Sequence, residues 1–146
     1  MLLSTTHALT TNHNLKLPRI LILEDDIAIA EILKEWFKMS GYKCLVKTNT
    51  SDIIELVTNY QPDLVIMDYL LPGINGGELC SQIKKDASTC HIPVIICSAF
   101  SKVLMSLGTY SCNVFIPKPF DLDQMIEKVE ELLCCNGKNT IRHLTS

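Results

Sequence analysis

The sequence predicts an α/β fold, a parallel sheet with helices on both faces, and three observations carry that expectation. Between Arg19 and Cys135, apolar runs of strand length alternate with segments of helical period. The strand runs are continuous and rich in branched residues, as strands buried on both faces must be, instead of alternating apolar with polar. Capping and turn residues stand at the junctions.

Residues 1–17 are rich in Thr, Asn and His, lack periodicity and stop at Pro18, which reads as a flexible arm before one domain over residues 18–135. Ile20–Leu23 is the first strand and ends in the acidic triplet Glu24, Asp25, Asp26. Ile29, Ile32, Leu33, Trp36 and Phe37 then fall at helical spacing, and Gly41 ends that helix where a left-handed cap is wanted. Cys44–Lys47 is a short second strand. Ser51 or Asp52 can cap a helix carrying Ile53, Ile54 and Val57, and Pro62 introduces the third strand, Leu64–Met67, with Asp68 at its C-terminal end. Pro72–Gly77 reads as turn and leads into a helix with Leu79, Cys80 and Ile83. Pro93 opens the fourth strand, Val94–Cys97, which ends at Ser98. Ser101–Tyr110 is weakly helical and unusually apolar for a surface helix. Val114–Ile116 is a short fifth strand closed by Pro117, Lys118 and Pro119. Asp121 caps a last helix whose Leu122, Met125, Ile126, Val129, Leu132 and Leu133 share one stripe. Residues 136–146 form a short polar tail.

At 146 residues, the chain has the common size of one domain with one core. Its net charge of −3, with no Lys/Arg stripe, argues against direct nucleic-acid binding. The apolar runs are far below the roughly 20 residues that cross a bilayer, and the N-terminus lacks the basic start and apolar stretch of a secretory signal. A cytoplasmic location is therefore expected. The seven cysteines form an odd set without a CxxC pair, which suits neither a disulfide framework nor a zinc site. Reduced, inert thiols are the plain reading, with Cys134 and Cys135 the pair placed for a redox or attachment role.

Right-handed crossovers bring the C-terminal ends of parallel strands to one edge, and ligands bind there. The residues expected at that edge are Glu24, Asp25, Asp68, Ser98 and Lys118. Three neighbouring carboxylates repel one another unless a cation neutralises them, and an all-oxygen site of this charge suits Mg²⁺. A carboxylate can act as nucleophile toward phosphorus, while a cation and a lysine offset the charge that develops on the transferring group. The five residues thus suggest a metal-dependent phosphoryl site. Taken singly, each has a plainer explanation, because acids at strand ends are often helix caps and a lysine before proline is usually solvated. All five at one edge are harder to assign to chance. His7, His13, His91 and His143 are scattered, and no Ser/His/Asp arrangement is apparent. Gly73, Gly76 and Gly77 do not make a phosphate-cradling loop and are assigned to turn formation.

With these residues in view, the sequence resembles the receiver domains of two-component response regulators over roughly Arg19 to Cys135. The resemblance rests on ILILEDD, on MDYLLPGINGGEL around Asp68, on IPVIICSA ending beyond Ser98, and on FIPKPF containing Lys118. It implies a single flavodoxin-like, doubly wound five-stranded sheet of order 2-1-3-4-5 with five flanking helices. It implies that Asp68 accepts a phosphoryl group from a partner's phosphohistidine, the partner being a sensor histidine kinase or a histidine phosphotransfer protein. Glu24, Asp25, Asp68 and the backbone carbonyl of Leu70 would bind Mg²⁺, Ser98 and Lys118 would contact the phosphoryl oxygens, and Phe115 would be the aromatic that follows Ser98 on switching. Asp26 is expected to be peripheral. Two departures from the family pattern stand out: Ser111, Cys112 and Asn113 precede the last strand, and Val103, Leu104, Met105 and Leu107 make the fourth helix apolar. An apolar patch there would favour a hydrophobic downstream partner or a homodimer through residues 101–135.

The leading functional expectation is a stand-alone receiver in a two-component phosphorelay, a phosphoacceptor signalling domain and not a turnover enzyme, acting through phosphorylation-dependent protein contacts. A receiver taken from a longer regulator is one alternative. Others are a Mg²⁺-dependent phosphohydrolase with Asp68 as nucleophile, which would turn over an aryl phosphate, and a pseudo-receiver that binds partners without phosphorylation.

Overall fold

The computed structural model describes residues 16–100 and 112–135. Residues 1–15 of the arm expected over 1–17, the apolar helix expected over 101–110 and the tail expected over 136–146 lie outside the described residues. Within them the chain runs β1 (Arg19–Leu23), α1 (Ile27–Met39), β2 (Lys43–Lys47), α2 (Ile53–Tyr60), β3 (Leu64–Asp68), α3 (Gly76–Lys85), β4 (Val94–Ser98), β5 (Val114–Pro117) and α4 (Leu122–Cys135). All five strands are parallel, in the order β2-β1-β3-β4-β5.

The central strands are buried on both faces, which is why they are continuous apolar runs in the sequence. Alternation divides them into two cores. Ile20, Ile22, Leu64, Ile66, Ile95 and Cys97 face α1 and α4, which contribute Leu33, Phe37, Met125, Val129 and Leu133. Leu21, Leu23, Val65, Met67, Val94 and Ile96 face α2 and α3, which contribute Ile53, Val57, Leu79, Cys80 and Ile83.

The helix starts are set by side-chain caps. Asp26 accepts from Ala28 N–H and Ile29 N–H, Asp52 from Glu55 N–H, and Asn75 from Glu78 N–H. Of the two candidates for the α2 cap, Asp52 takes the role. Asp121, expected to cap the last helix, accepts from Asp123 N–H. Gly41, at φ 93°, follows the end of α1 as expected.

Ile32, one of the apolar residues at helical spacing, is 55% exposed, because the buried stripe of α1 runs through Ala30, Leu33 and Phe37. One expectation needs correction. Gly76 and Gly77 do not belong to a turn; both are buried in the first turn of α3, where the Asn75 cap starts the helix before any apolar periodicity is visible.

Candidate functional site

The acidic triplet divides into three roles. Glu24 leaves β1 with its N–H donating to Lys47 O at 3.1 Å, which ties it to the end of β2, and its side chain is buried. Its Oε2 accepts from Asp26 N–H at 3.2 Å. Asp26 turns its own carboxylate outward onto the N-terminus of α1, so it is a cap and stands apart from the site, as expected. Asp25 is exposed between them. Oxygens of Glu24, Asp25 and Asp68 lie within 4.8 Å of one another.

Asp68 closes β3, and the strand register sets it opposite Cys97 of β4. Ser98 pairs with Pro117 of β5. Lys118 N–H donates to Ser98 O at 2.9 Å, so backbone hydrogen bonding carries the pairing one residue past the sheet. The Lys118–Pro119 peptide is cis. The Lys118 ammonium is 2.8 Å from Glu24 Oε1 and 3.4 Å from Asp68 Oδ1, bridging two of the three acids. Ser98 is buried and its Oγ accepts from Phe100 N–H at 2.9 Å. Strand alternation puts Ser98 on the face that holds Phe115, which packs against the α2–α3 core while remaining partly exposed. Leu70 and Phe100, each two residues beyond Asp68 or Ser98, are 54% and 57% exposed.

Burial pushes the carboxyls of Glu24 and Asp68 above the usual carboxylate range, and Lys118 only partly offsets it; for Asp68 the neighbouring charge of Asp25 adds to the rise. For Lys118 burial alone would lower the ammonium's pKa, but the hydrogen bond to Glu24 and the charge of Asp68 hold it above its ordinary value. The two ends of the pair therefore report different causes: the lysine reports attraction, the acid reports desolvation. Such a cluster of hard oxygen donors, short of compensating positive charge, fits a divalent cation. Thiol chemistry at this edge is disfavoured, because burial pushes Cys97 up to about 12.

All five residues expected at the edge are thus brought to one place, and Phe115 stands on the neighbouring strand. The bridge from Lys118 to Glu24 was not foreseen, since only spatial proximity pairs residues 94 positions apart. Beside the cluster a groove of about 500 Å³, lined by Ile29, Ile32, Ala99, Pro119 and Phe120 with Lys118 at its edge, presents an apolar surface.

The sequence profile of the response regulator receiver domain matches residues 20–130. The chain is 30% identical over 119 residues to the DNA-binding dual master transcriptional regulator RpaA of Synechocystis, covering 80% of this chain and 49% of that protein. It is 30% identical over 120 residues to the phosphate regulon transcriptional regulatory protein PhoB of Pseudomonas aeruginosa, covering 81% and 52%. The chain spans about half the length of the curated relatives it matches. Among solved structures, the response regulator TrrA of Thermotoga maritima, in complex with Mg²⁺ and BeF, superposes with a TM-score of 0.72 at 31% identity, covering 80% of this chain and 100% of that one. No described helix is long and apolar enough to cross a membrane.

Proposed function

Because the chain belongs to the response regulator receiver domain family, we propose that it accepts a phosphoryl group on Asp68 from the phosphohistidine of a sensor histidine kinase or a histidine phosphotransfer protein. The observation that carries this reading is the convergence of Glu24, Asp25 and Asp68, with Lys118 bridging two of them. An Asp68 carboxylate oxygen attacks phosphorus while the phosphorus–nitrogen bond of the donor breaks, and the imidazole leaves with the electron pair. Glu24, Asp25, Asp68 and the carbonyl of Leu70 would hold Mg²⁺, which when bound offsets negative charge on the phosphoryl oxygens. Lys118, protonated at neutral pH, supplies a second positive charge from the β5 side. Ser98 turns its hydroxyl from its local backbone contact toward the new acceptor oxygens, and Phe115, on the same face, follows. A preference for the switched arrangement of roughly 2–3 kcal/mol changes its population ratio about 30- to 150-fold. The switched loops then signal through protein contacts.

Intact-mass analysis after incubation with Mg²⁺ and acetyl phosphate tests this. A phosphoryl adduct is expected on the wild type and absent from Asp68→Asn; an adduct of equal yield on both would remove Asp68 from the role. Steady turnover of an aryl phosphate would instead support the phosphohydrolase. Because Leu70 and Phe100 offer no polar group to assist an attacking water, the phosphoprotein is expected to persist for minutes or longer. A lifetime of only seconds in Mg²⁺ buffer would refute that expectation.

A second reading is favoured by the relatives' length: this chain as the receiver part of a longer transcriptional regulator, with the remainder binding DNA. The mass of the endogenous protein, measured by immunoblot, separates this from a stand-alone receiver.

A further inference from the structure

The first turn of α3 is built directly against the backbone of the residue that carries the nucleophile. Asn75 starts the helix by accepting Glu78 N–H at 2.8 Å. Gly76 N–H then donates to Tyr69 O at 2.7 Å, and Tyr69 N–H donates to Cys97 O at 2.8 Å. The peptide that follows Asp68 is therefore clamped between α3 on one side and β4 on the other.

A Cβ at Gly76 would overlap the Asp68 carbonyl oxygen and lie 3.1 Å from both its carbonyl carbon and Tyr69 Cα. All three atoms are backbone, so no rotamer change relieves the clash; either the end of β3 or the start of α3 must move. Gly73, three residues earlier in the same loop, is a contrasting case. It has φ 85°, which strains any other residue, but a Cβ there would meet nothing within 4 Å.

We infer that Gly76 is a positioning residue for phosphoryl transfer: the missing side chain lets α3 seat on the Asp68 carbonyl, and this seating sets where the Asp68 carboxylate stands relative to Glu24, Asp25 and Lys118. The inference rests on the reading of Asp68 as phosphoacceptor. A side chain at 76 forces the end of β3 and the start of α3 apart, and a displacement of on the order of 1 Å at a reacting group costs roughly 10²-fold in rate. Gly76, assigned above to turn formation, is on this account part of the site's framework, whereas Gly73 is not.

The test compares wild type, Gly76→Ala and Gly73→Ala by two measurements: the initial rate of phosphoryl-adduct formation with acetyl phosphate and Mg²⁺, and the rise in melting temperature on adding Mg²⁺ alone. Gly76→Ala is expected to be at least 10-fold slower, with a diminished Mg²⁺-induced rise. Gly73→Ala is expected to melt lower while keeping the wild-type rate and Mg²⁺ response. Wild-type behaviour of Gly76→Ala, or equal slowing in both variants, overturns the proposal. Should Gly76→Ala fail to fold, Asn75→Ala replaces it; it frees the start of α3 without adding atoms, slower transfer is expected, and a wild-type rate overturns the idea. If the wild type forms no adduct, the phosphoacceptor reading falls, while the Mg²⁺ response of Gly76→Ala still decides the positioning role.

Discussion

Cys97 lies opposite Asp68 in the sheet and beside Ser98 in sequence, yet burial pushes its thiol up to about 12 and so disfavours the reactive thiolate. Cys80, on the buried face of α3, is likewise pushed up to about 12, and Cys44 to about 11. Cys90 and Cys135 are exposed. Titration of the folded protein with a disulfide reagent at pH 8 should therefore modify Cys90 and Cys135 first and leave Cys80 and Cys97 untouched until denaturant is added. Early modification of Cys97 would show that β4 opens in the native state. At this scale the candidate cluster was legible in the sequence, because strand ends are visible and Glu24, Asp25, Asp68, Ser98 and Lys118 each close a strand or stand just beyond one. What stayed hidden was how the acidic triplet is partnered, although Asp26 was expected to stand aside. Glu24 and Asp26 differ by one methylene in a run of like charges, and only the position of the α1 N–H groups makes one a buried pair-former and the other a cap.

The helices owe their starts to single side chains, so their caps are the points where one substitution tells. Asp26→Ala removes the acceptor for two N–H groups of α1 and should lower stability by about 1 kcal/mol, measured by urea denaturation with an unchanged slope. Because Asp26 is not among the clustered acids, its loss should leave phosphoryl acceptance intact; a parallel loss of adduct formation would contradict the separation of roles drawn here. Element boundaries were legible wherever an acid or an amide preceded an apolar repeat, as at Asp52 and Asp121. They were misread at Gly76 and Gly77, since glycine has poor helix propensity and nothing in one dimension reveals that a backbone passes close enough to exclude a Cβ. The exposure of Ile32 was hidden for a related reason: it follows the apolar spacing of α1 but falls to the side of the line through Ala30, Leu33 and Phe37, where it borders the groove next to Lys118.

Across the whole molecule, the acid cluster works against folding when it is not neutralised. Carboxyls whose pKa is raised by folding bind protons more readily in the native than in the unfolded state. Their contribution is therefore favourable below the ordinary carboxylate range and is lost as pH rises through the raised native values. Without divalent cation, Asp68→Asn should melt above the wild type at pH 7, with the advantage shrinking as pH falls toward 4, and Mg²⁺ should close the gap by stabilising the wild type. Thermal melts at both pH values, with and without Mg²⁺, check this; a variant that melts lower than the wild type at pH 7 without Mg²⁺ would mean that the Lys118 attraction outweighs burial. The division of the interior by the sheet has a separate outcome. With Leu33 and Phe37 packed on one side of the strands and Val57 and Leu79 on the other, changes to the two sides are separated by a layer of backbone and should combine by simple addition. The helices of one face can then drift and be recruited to new contacts over generations without renegotiating the opposite face, while the strand ends between them keep the acids and the lysine in register.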